Sequence, residues 1–220
     1  MEVNLFKWKH YESTIIILCV RWYLKYSLSF RDLSEMMRER GLSTHASTIY
    51  RWVFQFSHFL SRNIRKHLKS TNDSWRMDET HLKIRGKCMY LYRAVDSSGH
   101  TIEFWLSKER DKKAAKRFFK KALSSPHNSS PTVITADKYA ATQVAILEEQ
   151  YAGSLPCSLQ HRMIQYLNNI VEQDHRHIKR RTNLMLGFKN FKSACAIISG
   201  IETFQMIHKG QAGILNVTEE

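Results

Sequence analysis

The chain has 220 residues, of which 43% are hydrophobic and 11% aromatic, enough for a packed core and too much for global disorder. A formal net charge of +14 and a pI of about 9.7 mark a nucleic-acid or acidic-surface partner, nucleic acid above all. The plainer reading of the same charge is a ribosome-associated or simply soluble basic protein.

The first sixty residues read as helices. Ser13 and Thr14 are positioned to cap a helix whose apolar positions are Ile16, Val20, Tyr23 and Leu24. The apolar run Ile15–Val20 stops at Arg21, far too short to span a bilayer, and no cleavage-site pattern follows it. Ser29 opens a second helix with Phe30, Leu33 and Met37 on one stripe, and Gly41 closes it. A third helix is expected from about His45 to Phe56, with Ala46, Ile49, Tyr50 and Val53 facing inward. Two helices joined by a tight glycine-containing turn match a helix-turn-helix, although plain α-bundles share the pattern. If it is one, His45, Ser47, Thr48 and Arg51 stand where base edges are read.

Residues 61–74 are polar and basic and read as a linker whose start can continue the third helix. From Trp75 the apolar period changes from helical to alternating. Trp75–Arg85, Lys87–Val95 and Thr101–Ser107 form three antiparallel strands, joined at Arg85-Gly86-Lys87 and Ser97-Ser98-Gly99. A basic helix follows at about Asp111–Leu123, then a buried strand at Thr132–Ala136 and a helix at about Tyr139–Tyr151. A short strand near Ser158–His161 and a long helix from about Gln165 to Arg181 complete the pattern. Ala194–Lys209 is also helical, with no packing partner evident. The order implies an α/β protein of the α+β type, a mixed sheet covered by helices.

Three acids stand out against this basic background. Asp78 lies inside a strand, where aspartate is disfavoured, and alternation sends it and Glu79 to opposite faces. Asp137 ends a strand and precedes a helix. That is a favoured position for an N-cap, and also the edge of an α/β sheet where sites form. Glu172 shares one helix face with Asn168, Asn169, His175, Arg176 and Lys179, whereas Leu167, Val171, Asp174 and Ile178 form the opposite stripe. An ordinary Glu172–Arg176 surface pair would also explain it.

Carboxylates are hard oxygen donors, and a converging set of them suits Mg²⁺. Two such ions can clamp the attacking and leaving oxygens of a phosphodiester displacement. Asp96 abuts Ser97-Ser98-Gly99 and reads as a turn residue. Cys157, His161, His175 and His177 lack the close ligand pairs of a zinc site. Cys19, Cys88, Cys157 and Cys195 read as free thiols in a reducing compartment, so a cytoplasmic protein with no membrane partner is expected. The lysine- and arginine-rich run Lys108–Lys121 is either a solvated face or a phosphate contact.

Several motifs together resemble the transposases of the insertion sequence six family, within the DDE transposase and retroviral-integrase superfamily. They are Ser29-Phe30-Arg31-Asp32-Leu33, Ser47-Thr48-Ile49-Tyr50-Arg51-Trp52-Val53, Met77-Asp78-Glu79-Thr80, Tyr90-Leu91-Tyr92-Arg93-Ala94-Val95-Asp96 and Ala136-Asp137-Lys138. To these add Tyr166-Leu167-Asn168-Asn169, Val171-Glu172-Gln173-Asp174-His175, Leu186-Gly187-Phe188-Lys189 and Lys209-Gly210-Gln211. The resemblance runs from about Phe6 to about Gln211.

It implies a ribonuclease H-like catalytic core over residues 75–185, behind a helix-turn-helix domain at 1–60 and the linker at 61–74, with a helical segment at 186–220. It makes Asp78, Asp137 and Glu172 the catalytic and metal-binding triad for two Mg²⁺ ions, with Mn²⁺ able to substitute. Lys179 matches the basic residue that follows the glutamate in such enzymes and, with Arg176, is expected to contact DNA. Terminal inverted repeats and target DNA are the implied partners. Strand cleavage and transfer giving cointegrates is the implied reaction, and a homodimer or larger synaptic assembly the implied state. One departure is Gln165, where relatives carry a lysine before Tyr-Leu-Asn-Asn. Two rivals remain on sequence grounds. One is a catalytically inactive helix-turn-helix regulator derived from a transposase; the other is a nuclease with the same core and no joining step.

Overall fold

The computed structural model describes residues 5–7, 9–137, 139–163, 169–184 and 188–213; the side chains of 169–170, 172–175 and 183–184 lie outside that description. Helix α1 spans Ser13–Lys25, α2 Phe30–Glu39 and α3 Ala46–Ile64. The N-cap of α1 is Glu12 rather than Ser13, and Thr14 Oγ1 donates to the Glu12 carboxylate at 3.4 Å. Ser29 caps α2 as expected. Its hydroxyl accepts from the Asp32 amide while the Asp32 carboxylate accepts from the Ser29 amide, a reciprocal capping box. Gly41, at φ 75°, turns the chain out of α2 in a conformation that favours glycine.

Helix α3 runs eight residues beyond the expected end at Phe56, into the segment read as a linker. The reason is its inner face, where Ser57 and Ser61 interrupt the apolar pattern but are buried. They make room for α7 (Phe191–His208), which packs along α3 and α1. At Gly200 of α7 a Cβ would lie 2.5 Å from Ser57 Oγ and 2.9 Å from Leu24 Cδ2, so the three helices meet at a contact only glycine permits.

Strands β1 (Ser74–Ile84), β2 (Lys87–Asp96) and β3 (Thr101–Ser107) form the expected antiparallel meander. The β1–β2 loop is the pair Arg85-Gly86 with both φ positive, at 52° and 74°, as a tight twisted hairpin requires. Two short strands, β4 (Val133–Thr135) and β5 (Gln160–Arg162), add in parallel to give the mixed order β3-β2-β1-β4-β5. Helices α4 (Lys112–Leu123) and α5 (Ala140–Tyr151) cover one face, where Trp75, Met77, Tyr92 and Ala94 pack on Phe118, Phe119, Ala145 and Ile146.

On the other face Leu82, Ile84, Leu91, Phe104 and Leu106 share one apolar cluster with α1, α2, α3, α7 and Ile178 of α6 (Asn169–Leu184). The N-terminal helices and the sheet are thus joined through a continuous core. Each large side chain buried in it contributes about 1.5–3 kcal/mol. β1 feeds both cores because alternate residues point to opposite sides: Trp75 and Met77 one way, Leu82 and Ile84 the other.

Candidate active site

The parallel pairing of β1 with β4 matches Ser74 to Val133, Trp75 to Ile134 and Arg76 to Thr135. The paired run ends at Arg76 and Thr135, so Asp78 and Asp137 each lie two residues beyond its last pair, Asp78 still on β1 and Asp137 past the end of β4. Asp137 is exposed and Asp78 half-buried. The N-cap of α5 is Tyr139, so Asp137 does not hold the cap position its sequence context suggested.

Asp78 falls on the sheet face shared with Leu82 and Ile84, against which α6 packs. Glu172 lies in α6; its side chain is outside the described residues, as are those of Asp174 and His175. Around it, Val171 and Ile178 are buried whereas Arg176 and Lys179 are exposed, the two-sided helix that the pattern implied. Gln165 falls outside the described residues. Among those described, no group of three His, Cys, Asp or Glu side chains is placed to hold a metal ion. The two aspartates are hard oxygen donors, and such groups suit Mg²⁺ when a third carboxylate joins them.

A buried ion pair lies beside Asp78. Arg93 of β2 is its cross-strand partner, so both residues share a face. The guanidinium of Arg93 donates to Glu202 of α7 at 2.9 Å, and both side chains are fully buried. His177 of α6 has Nε2 3.7 Å from the same carboxylate. Glu202 thereby links sheet, α6 and α7. Farther along α6, Arg181 donates to the Lys25 carbonyl at the end of α1, and burial pushes its guanidinium down to about 10.

On the opposite face Glu79 lies almost buried and accepts from Arg110 at 2.8 Å and from Thr142 of α5 at 2.9 Å. Alternation did send the two neighbouring acids of β1 to different sides. Sequence reading passed over Arg93, Glu202 and Arg110. The available signal was a charge inside a strand or helix otherwise read as buried, since such groups are rarely inside unless paired. Asp96 is a turn residue, as expected, accepting from the amides of Ser98, His100 and Asn72.

The proposed base-reading positions begin α3. His45 is its N-cap; His45, Ser47 and Arg51 are exposed and Thr48 is half-buried. A cavity of about 970 Å³ between α3, β3 and α7 lies at the sheet edge remote from β4 and includes neither aspartate. No described helix is long and apolar enough to cross a membrane.

The protein's acid response follows from its buried titratable groups. Burial holds the imidazoles of His127 and His161 below their ordinary value of 6.5, and Arg65 adds to the effect at His127. Burial drives the Glu103 carboxyl upward, but Lys121 and Arg65 outweigh it and keep the group below 4.5. Below about pH 6.5 the unfolded chain binds protons that the folded histidines refuse, so stability present above that pH falls on acidification. Glu103 adds a second loss as pH drops through and below about 4.5. Urea midpoints measured between about pH 8 and pH 4 should fall in these two stages; a flat profile from 7 to 5 excludes the histidine contribution.

Comparison with known proteins agrees with this architecture. A family model for the DDE domain of IS240-type transposases matches residues 72–211. The transposase for insertion sequence-like element IS431mec of Staphylococcus aureus strain Mu50 is 39% identical over 207 residues, covering 94% of this chain and 90% of the relative. The transposase for insertion sequence element IS257 in transposon Tn4003, also from Staphylococcus aureus, is 38% identical with the same coverage. Among solved structures, the catalytic core domain of HTLV-2 integrase, in a dimeric form complexed with magnesium, superposes with a TM-score of 0.50. It is 20% identical and covers 67% of this chain and 99% of the integrase core, a likeness of fold that identifies the sheet as ribonuclease H-like. The chain belongs to the insertion sequence six family of DDE transposases.

Proposed function

We propose that the protein binds the terminal inverted repeats of an insertion sequence and carries out metal-dependent strand cleavage and strand transfer, with Asp78, Asp137 and Glu172 as the metal-binding residues. The proposal is supported by the parallel β1–β4 pairing, beyond whose last pair Asp78 and Asp137 each follow by two residues, and by the packing of the glutamate-bearing helix on β1. Three carboxylates form a hard donor set suited to two Mg²⁺ ions, with Mn²⁺ a substitute. When bound, such ions supply Lewis-acid activation of the attacking oxygen and charge neutralisation at the leaving oxygen.

The protein's own share of the work is positioning and electrostatics. Asp78 is carried on β1 and Asp137 just past the end of β4, so little reorganisation is needed as charge develops. Arg176 and Lys179, exposed on the helix that carries Glu172, neutralise phosphates beside the reacting bond. Residues 1–60 act as the DNA-reading unit, 61–74 connect it to the core at 75–185, and within the C-terminal segment 186–220 the helix Phe191–His208 shares an apolar cluster with both. His45, Ser47, Thr48 and Arg51 face the base edges of the repeat. Cleaved ends are joined to target DNA in the cytoplasm by a homodimer or larger synaptic assembly, giving cointegrates.

The test uses pre-cleaved repeat ends and a target plasmid, with and without Mg²⁺. Joined product that depends on Mg²⁺ supports the proposal. Nicks without joining indicate a nuclease, and a shifted band alone indicates an inactive helix-turn-helix regulator. For the reading residues, Arg51→Ala should cut the preference for repeat over random DNA by tenfold or more, about 1–3 kcal/mol per lost base contact. Competition binding at fixed salt measures this, and an equal loss on both DNAs removes Arg51 from base reading.

A further inference from the structure

Four residues join β1 to the start of α5. Glu79 uses both carboxylate oxygens, accepting from Arg110 at 2.8 Å and from Thr142 Oγ1 at 2.9 Å. The Arg110 guanidinium lies 3.7 Å from the centre of the Tyr139 ring, and the Tyr139 hydroxyl donates to the Arg110 carbonyl at 2.8 Å. The circuit therefore closes from strand to connection to helix and back. Its surroundings explain why it is needed. Helix α5 has Tyr139 as its N-cap with no side-chain cap, so locally only backbone bonds to the Tyr139 carbonyl hold the first turn. An almost buried carboxylate is also costly unless its oxygens are paired, and Glu79 has only 5% of its side chain exposed.

The sequence neighbours of this circuit give it meaning. Glu79 follows Asp78 directly, and Tyr139 comes two residues after Asp137. A tie between Glu79 and Tyr139 therefore acts one residue from Asp78 and two residues from Asp137. We propose that Arg110 is a positioning residue for metal binding: it clamps the Asp137 segment to β1 through Glu79 and Tyr139, so that both aspartates are in place before the cation arrives. This rests on the assignment of Asp78 and Asp137 as metal ligands. Arginine suits the task better than lysine, because its planar head can stack on a ring while it donates sideways to a carboxylate.

Two measurements on the full-length protein test the clamp. The first is amide hydrogen exchange without metal, compared between wild type, Arg110→Gln and Arg110→Lys. Arg110→Gln should speed exchange at residues 139–143 about tenfold and leave α7 unchanged, with Arg110→Lys in between. The second is the Mg²⁺ dependence of strand cleavage. The half-saturating concentration should rise at least fivefold in Arg110→Gln and in Tyr139→Leu, and most of the maximal rate should return at high Mg²⁺. Arg110→Gln combined with Tyr139→Leu should be little worse than either alone, since each opens the same circuit.

Glu148→Gln, which loosens the α4–α5 pairing with Lys112 and Lys116 elsewhere, should leave the Mg²⁺ requirement unaltered. Unchanged exchange at 139–143, exchange that quickens equally throughout the fold, or an unchanged Mg²⁺ requirement overturns the clamp. Asp137→Ala run alongside separates the two assignments. Normal cleavage there overturns the ligand reading and the metal role of Arg110 with it. Lost cleavage there, with unaltered exchange in Arg110→Gln, overturns the clamp alone.

Discussion

Asp78→Ala is expected to reduce Mg²⁺-dependent cleavage and joining by a thousandfold or more, which corresponds to at least about 4 kcal/mol of lost transition-state stabilisation. Binding to the terminal repeat should persist and even tighten slightly, because a negative charge beside the DNA phosphates is removed. The two effects have different origins. On the proposed function, affinity for DNA draws on basic charge spread over the chain, whereas the reaction draws on a few carboxylate oxygens. Asp137→Ala and Glu172→Ala should behave alike, and combined variants should be no worse than single ones, since each removes part of one metal-binding unit. A gel assay that scores bound, nicked and joined DNA in one lane separates these outcomes. Near-normal cleavage by any of the three variants would remove that residue from the triad.

Glu202→Ala is expected to cost the most in stability. It takes the Glu202 carboxylate from the buried Arg93 guanidinium and an anionic neighbour from His177. Breaking a buried pair from one side costs about 3–5 kcal/mol. For a chain of this size that is a fall in thermal midpoint of roughly 10 °C. Replacing both partners, as Arg93→Met with Glu202→Met, should recover much of the loss, because no uncompensated charge remains. Calorimetry on the three variants decides it: a double variant as unstable as the single one would mean that the pair's geometry, rather than its charge balance, supports the fold. The pair also stands next to Asp78, so Glu202→Ala measured below its melting range should slow cleavage through displacement of β1 and α6.

The candidate site was legible in the sequence to different depths. Asp78, Asp137 and Glu172 were picked out because acids are conspicuous in a basic chain and each stands in a strongly patterned segment. Their spacing could not say which neighbours share a face. The β1–β4 register puts each aspartate two residues past its last pair, and α6 packs on β1. Asp137 was ambiguous with a helix cap until α5 was seen to begin at Tyr139. Helix α3 was cut short because Ser57 and Ser61 look like the end of an apolar stripe, yet both are buried where α7 comes close. For the same reason α7 was foreseen as a helix but had no partner: Gly200 reads as a weak point in a helix, and only its contact with Ser57 and Leu24 explains it.

What the amino-acid order determined by itself was local and compositional: the helices and strands, the hairpin turns at Arg85-Gly86 and Gly99, the capping box at Ser29, and a charge that calls for a polyanion. These follow from periodicity and backbone preference, which act over a few residues. Tertiary structure alone decided the pairings across long separations. It set Arg93 against Glu202, Glu79 against Arg110 and Thr142, and β1 beside β4. A charged residue finds its partner only when the chain has closed a loop of tens of residues, and nothing in the local sequence records which loop will close.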